Sequence, residues 1–234
     1  MRMLSFVRLS SCTFGAILLV AAAVTSHAQY SAPPGSGDPF KDTSMLKPPD
    51  GHNVAIIEFD DLECPWCAHV APIIHEALER YKIPYVHYDF PLVEIHIWSR
   101  QAAITARYLQ DTVSPQMADQ FRSEIFASQS KIESLDALDS FTKQFFQKHK
   151  LKRPFVTDPE GKYAIEVSAD RSLGDRLGVR RTPTILVVTP HKWVHVTDVS
   201  QLYSVIDEAL AETGSAKSSP AANSKQRRPA APQK

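Results

Sequence analysis

The first strongly patterned stretch of the chain is Val54-Ala55-Ile56-Ile57-Glu58-Phe59, a short β-branched apolar run that ends in Asp60-Asp61. Such a run is expected of a strand buried on both faces of a sheet. Val70, Ile73, Ile74, Ala77 and Leu78 then repeat at helical spacing. Pro65 stands where a first helical turn has no need of an N–H, so a helix is predicted from Pro65 to about Tyr81. Pro84-Tyr85-Val86-His87-Tyr88-Asp89-Phe90 reads as a second strand, and the order strand, helix, strand implies a parallel pair.

From about Glu94 to Leu177 the periods are helical. One helix runs from Ile97 through Leu109. A second has Ser114 as N-cap, Pro115 behind it, and Met117, Phe121 and Ile125 on one face. A third has Ser134 as N-cap, with Leu135, Leu138, Phe141 and Phe145 following, and a fourth, around Ile165, Ala169, Leu173 and Leu177, stops at Gly178. Arg181-Thr182-Pro183-Thr184 then introduces the apolar strand Ile185-Leu186-Val187-Val188. Trp193-Val194-His195-Val196 makes another strand, and a helix from about Val199 to Leu210 closes the pattern. The whole predicts an α/β domain: a four-stranded mixed sheet with an all-helical insertion at about 94–177.

The two ends are of different character. Residues 1–28 carry Arg2 and Arg8, an apolar run from Phe14 to Val24, and the small-x-small site Ser26-His27-Ala28, the pattern of a secretory signal cleaved near Ala28. That run is too short to span a bilayer, and Leu9-Ser10-Ser11-Cys12 precedes it, where a lipidation box would have to follow. Residues 29–52 are rich in Pro, Gly and Ser and read as a flexible linker without a core. Residues 214–234 read as a disordered basic tail. The body at 53–213 is long enough for one core. The expected location is therefore periplasmic or secreted.

Charge narrows the partners. The 26 basic and 26 acidic residues cancel, but two arginines belong to the signal and five basic residues to the tail, which leaves 19 basic residues against 26 acidic ones in the rest. A mildly acidic body argues against nucleic acid, whose phosphates need a concentrated basic face. No heptad seam is visible, so a monomer is expected.

Of the three cysteines, Cys12 lies in the signal, and only Cys64 and Cys67, in Cys64-Pro65-Trp66-Cys67, remain afterwards. Cys64 opens the first predicted helix, where unpaired N–H groups and the helix dipole favour thiolate, so it is the candidate nucleophile. Its ionisation is expected between about 3.5 and about 7, the range of this motif. Cys67, one turn in, is the candidate resolving thiol. Pro65 fixes the backbone between the two, and Trp66 adds apolar surface beside the active sulfur. Asp61 and Glu63 lie close in sequence and would oppose ionisation, and they are expected to point to water and act weakly. Glu58 is a carboxylate in an apolar strand six positions before Cys64, and a proton-carrying role for Cys67 stands beside the plainer reading of a hydrated strand-end acid. An inert disulfide would gain little from so small a loop. A zinc clamp would need two further ligands, which His69 and His75 are not spaced to supply, so neither metal nor cofactor is expected.

Three blocks carry a resemblance: Glu58-Phe59-Asp60-Asp61-Leu62-Glu63-Cys64-Pro65-Trp66-Cys67, then Tyr88-Asp89-Phe90-Pro91-Leu92, then Gly178-Val179-Arg180-Arg181-Thr182-Pro183-Thr184. Together they resemble the DsbA-like thiol:disulfide oxidoreductases, over nearly the whole body. The resemblance implies a thioredoxin-like mixed sheet with an inserted helical subdomain. It implies Cys64 as attacking thiol, Cys67 as resolving thiol, Glu58 as buried carboxylate, and Pro183 as a cis-proline facing the sulfurs. Thr182 and Trp66 become substrate-contact candidates, since the backbone of Thr182 would be presented to an extended peptide. The partners implied are reduced or misoxidised exported proteins and a membrane redox partner. Pro-Trp stands between the cysteines where the strongly oxidising archetype has Pro-His. An oxidase is the leading expectation, with a reductase or isomerase, or a non-catalytic peptide-binding module, as alternatives.

Overall fold

Glu58 and Asp60 share one face of a four-stranded sheet with Ile56, and the layers built on that sheet position everything else. The computed structural model describes residues 43–218. The strands are β1 (Ala55–Asp60), β2 (Tyr85–Asp89), β3 (Thr184–Val188) and β4 (Trp193–Val196), in the spatial order β2-β1-β3-β4. β1 pairs with β2 in parallel and with β3 antiparallel, and β4 is antiparallel to β3. The sheet is therefore mixed, as its sequence order implies.

The helices are α1 (Pro65–Tyr81), α2 (Ser99–Thr112), α3 (Pro115–Ser128), α4 (Leu135–Lys148), α5 (Lys162–Leu177) and α6 (Leu202–Ser218). Val54 and Ile56 face α1 and α6 through Val70, Ile74, Leu202, Val205 and Ile206. Ala55, Ile57 and Phe59 face the other way, against Phe90 and the α5 residues Leu173 and Leu177. This alternation along one strand, apolar on both sides, is why β1 reads as a continuous apolar run. The insertion has its own core of Trp98, Ala106, Leu109, Phe121, Ile125 and Phe145, and Leu62, from the loop ahead of Cys64, is buried in it. The active-site loop is thus wedged between two cores.

Helix ends follow local chemistry closely. The side chains of Ser114 and Ser134 accept hydrogen bonds from Met117 N and Ala137 N, and Gly178 ends α5 with a φ of 89°. α2 begins at Ser99 rather than Ile97, which is largely exposed.

The margins differ more. Leu46, in the stretch expected to lack a core, is buried against the α5 side of the sheet, and Thr43–Met45 forms a 3-10 turn leading to it. One leucine among prolines has no period by which a sequence could reveal its burial. The last helix passes through a 3-10 turn at Val199–Gln201 and continues to Ser218, beyond the boundary expected at 213. The expected signal at 1–28 and the tail from 219 lie outside the described residues. Among the described residues, no helix is long and apolar enough to cross a membrane.

Gly174 shows how closely α5 approaches the sheet. A Cβ there would stand 2.5 Å from Phe90 Cδ2 and Cε2 and 3.2 Å from Phe59 Cδ1. Phe90 is fully buried and packs edge-on against Phe59, so its ring has no room to swing aside. Overpacking costs about 1–3 kcal/mol, against about 1 kcal/mol gained by alanine over glycine inside a helix. Gly174→Ala is therefore expected to lower the denaturation midpoint in urea. A midpoint at or above that of the parent would show that the rings yield.

Candidate active site

Cys64 is the N-cap of α1, with extended backbone at φ −76° and ψ 121°, and its side chain caps nothing. Its sulfur nevertheless lies at the positive end of the helix, where the first-turn N–H groups favour thiolate. Cys64 and Cys67 are both free thiols here and both buried, Cys67 at 1 % exposure and Cys64 at 6 %. Cys64 Sγ lies 3.5 Å from the carbonyl oxygen of Thr182, to which its thiol donates. The Thr182–Pro183 bond is cis. Residues 118 positions apart in sequence are thus brought together by the pairing of β1 with β3, since the loop before β3 must lie beside the loop after β1. Trp66 is mostly exposed and stands edge-on to His69, with ring centroids 5.6 Å apart.

The two sulfurs are set apart electrostatically. A hydrogen bond from the Cys67 thiol is the largest influence on Cys64. Helped by the Thr182 side chain and the backbone N–H groups of Cys67 and Trp66, it outweighs burial and lowers the Cys64 thiol to about 6. Burial pushes Cys67 well above the ordinary thiol value, and its bond to Cys64 and the charges of Asp60 and Glu58 push the same way. A thiolate beside a protonated thiol is the arrangement that disulfide exchange needs. Alkylation of the reduced protein by iodoacetamide is accordingly expected to follow a single midpoint near pH 6, with Cys67 untouched at neutral pH. Two equal reactivities with an ordinary thiol midpoint would contradict it.

Asp61 and Glu63, expected at the surface, turn inward instead. Asp61 is fully buried and accepts bonds from Glu63 N at 2.8 Å, Leu92 N at 2.7 Å and His96 Nδ1 at 2.7 Å. Glu63 Oε2 accepts from Trp98 N at 2.7 Å and Ser99 N at 3.0 Å, at the start of α2. Unpaired N–H groups at a helix start and in a buried loop require acceptors, and these carboxylates supply them. Gln129, at the end of α3, donates to Leu62 O at 2.7 Å and Cys64 O at 3.1 Å. The insertion therefore holds the cysteine loop by side chains whose sequence separation hid them.

Glu58 is buried in the middle of β1 and accepts a bond from Tyr85 OH at 2.5 Å. Burial raises its carboxyl to about 8, and Asp60 adds to the rise while Tyr85 opposes it. A cleft of about 400 Å³ between α1, α3 and the sheet reaches Glu58 and Asp60. Asp60, His87 and Asp89 bring three possible ligand atoms within 4.8 Å of one another. His87 already bonds Asp60 at 2.7 Å, and Arg107 and Arg122 neutralise Asp89, so the group is an ion-pair cluster and a poor cage for a cation.

The sequence pattern of the thioredoxin family matches residues 52–208. The chain belongs to the thioredoxin family. Among solved structures, this thioredoxin-family chain shares its fold with the thiol-disulfide exchange protein alpha-DsbA2 of Wolbachia pipientis, at 19% identity and a TM-score of 0.55, over 69% of this chain and 84% of that one. The alpha-DsbA1 structure from the same organism matches at 17% identity and a TM-score of 0.59, over 73% and 92%. ScsC of Proteus mirabilis, in a transitional conformation, matches at 16% and 0.53, over 71% and 72%. These likenesses establish a DsbA-like thioredoxin fold with an inserted helical subdomain. A curated relative, Na(+)/H(+) antiporter NhaA 1 of Salinispora arenicola, is 26% identical over 151 residues, 64% of this chain and 22% of its own length. The chain thus spans about a fifth of that relative. This thioredoxin-family protein thus sets two buried, free thiols at the start of α1 beside a cis-proline.

Proposed function

We propose that the protein is exported and acts as an oxidase, donating the Cys64–Cys67 disulfide to reduced, extended client proteins. The observation that carries the direction is the lowered Cys64 thiol, at about 6. That value falls between about 7 for a reductant of this motif class and about 3.5 for its strongest oxidant. The more the thiolate is stabilised, the more the reduced form is favoured and the more oxidising the pair becomes. Cys64 is the sulfur that clients attack, Cys67 the leaving and resolving sulfur, and Glu58 the acid that exchanges a proton with Cys67. Thr182 and Pro183 hold the client backbone beside the sulfurs, and exposed Trp66 offers it an apolar surface. The signal-like sequence of residues 1–28 supports export, and a membrane redox partner would restore the disulfide.

The test is the reduction potential of the Cys64/Cys67 pair, measured by equilibration with glutathione. It is expected to lie on the oxidising side of about −200 mV. A value near about −270 mV would overturn the oxidase reading in favour of a reductase.

A further inference from the structure

Glu58 is not the only acid in the wall behind Cys67. Two residues further along β1, on the same face, Asp60 is buried and bonded at 2.7 Å to Nε2 of the nearly buried His87 on β2. Parallel register sets His87 opposite Glu58 and Asp89 opposite Asp60, so this carboxylate–imidazole pair lies diagonally across the two strands, next to Glu58. Glu58 and Asp60 both line the cleft that opens between α1 and α3.

The charges around the pair come from every element packed on it. β1 contributes Glu58, and β2 contributes Tyr85 and Asp89. Arg122 and Asp119 approach from α3, Arg107 from α2 and Asp170 from α5, while α1 brings Cys67 and, across the cleft, His75. Asp119 is largely exposed and screened by water. Within the wall, the carboxylates of Asp60, Asp89 and Asp170 face Arg107, Arg122 and the His87 imidazole. With Glu58 and the Cys64 sulfur beside them, the acidic groups outnumber the cations that face them. Ionising Glu58 adds an uncompensated charge to a buried site, and a proton lost from His87 would add to the excess.

We propose that Asp60 and His87 are positioning residues that together set when Glu58 carries a proton, and through it when Cys67 can leave as a thiol. This rests on the proton-carrying role of Glu58 proposed above. In the exchange, a client thiolate attacks Cys64 Sγ, the Cys64–Cys67 bond breaks, and Cys67 departs with the electron pair. Glu58 gives Cys67 its proton and regains one from bulk water through the cleft. A second client thiolate then attacks the client sulfur of the mixed disulfide, and Cys64 leaves as thiolate. The client loses two electrons, and the protein pair gains two.

The two residues act on Glu58 with opposite sign: Asp60 drives its carboxyl toward the protonated form, and the His87 imidazolium toward carboxylate. Burial disfavours that imidazolium, but Asp60, aided by Asp89, outweighs it and keeps His87 charged to a higher pH than a free imidazole.

The experiment is a carbon-13 titration of the Glu58 carboxyl in the full chain. His87→Gln is expected to raise its midpoint by about one pH unit or more, while Asp60→Asn alone, which also strips His87 of the partner that keeps it charged, should move it less. Asp60→Asn with His87→Gln should fall back near the parent. A midpoint that stays put or falls in His87→Gln, or that does not fall back when Asp60→Asn is added to it, would overturn the proposal. A purely structural role predicts one of those outcomes. His87→Asn serves as the second variant should His87→Gln not fold. The pH profile of dithiol oxidation of a model peptide is expected to shift in the same directions. Glu58→Gln distinguishes the underlying reading: an unchanged exchange rate there, with the midpoint raised in His87→Gln and restored in the double variant, would sink the proton-carrying role of Glu58 and leave its control by the pair standing.

Discussion

Cys64→Ala is expected to reduce disulfide exchange to the uncatalysed background, whereas Cys67→Ser, which has no disulfide to donate, should keep only the attack of Cys64 on a client disulfide and stop there. The difference follows from the separate environments of the two sulfurs. Cys64, drawn toward thiolate at about 6 by the Cys67 thiol and the first-turn N–H groups, is mostly ionised at neutral pH. The one other free thiol among the described residues is Cys67. Cys67 is buried behind it, its proton held by desolvation and by the charges of Asp60 and Glu58. Without Cys67, a mixed disulfide formed at Cys64 has no internal thiol to release it. Incubating Cys67→Ser with a disulfide-containing client should therefore accumulate a covalent adduct, visible as a mass increase that vanishes with dithiothreitol. Cys64→Ala should form none. Full exchange by Cys64→Ala would return the chain to the non-catalytic peptide-binding reading.

Glu58→Gln is expected to stabilise the folded protein at neutral pH while slowing exchange. A buried carboxyl raised from 4.5 to about 8 keeps its proton in the folded state over a range where the unfolded chain has released its own. With fewer protons bound in the unfolded state, stability falls as pH rises. The stability associated with the protonated Glu58 is fully present below about pH 4.5 and is lost progressively as pH climbs to about 8. At pH 7 the loss is on the order of 3 kcal/mol, which glutamine, neutral at every pH, does not suffer. Urea unfolding of the oxidised protein between about pH 5 and 8 should thus show a falling midpoint for the parent and a flatter one for Glu58→Gln. Exchange in that variant should slow by about a hundredfold, the lower end of what a positioned proton donor contributes. A variant no more stable than the parent at neutral pH would mean that the Glu58 carboxyl is not raised above its ordinary value.

Several elements were legible because their causes are local. The β-branched run of β1, the serine N-caps of α3 and α4, and Gly178 at the end of α5 act within a turn of the chain, and the observed elements keep those positions. The Cys64-to-Cys67 spacing is equally local, and it places both sulfurs on the first turn of α1. Glu58 drew notice for the same reason, as a charge standing alone in an apolar strand.

What surrounds those residues was decided by pairs far apart in sequence. Asp61 and Glu63 read as exposed acids until the N–H groups of Leu92, Trp98 and Ser99 are brought to them. Gln129 gave no signal at all, yet it bonds two carbonyls of the cysteine loop. His87 looked like one more residue of an edge strand, and only the parallel register of β2 on β1 sets it between Asp60 and Glu58. The sequence by itself determined the periods, the helix ends and the paired thiols, because propensity and capping act over a few residues. Which acids turn inward, which histidine meets them, and how far each sulfur is shifted were settled only by the tertiary structure, because burial and charge depend on neighbours that the chain supplies from a distance.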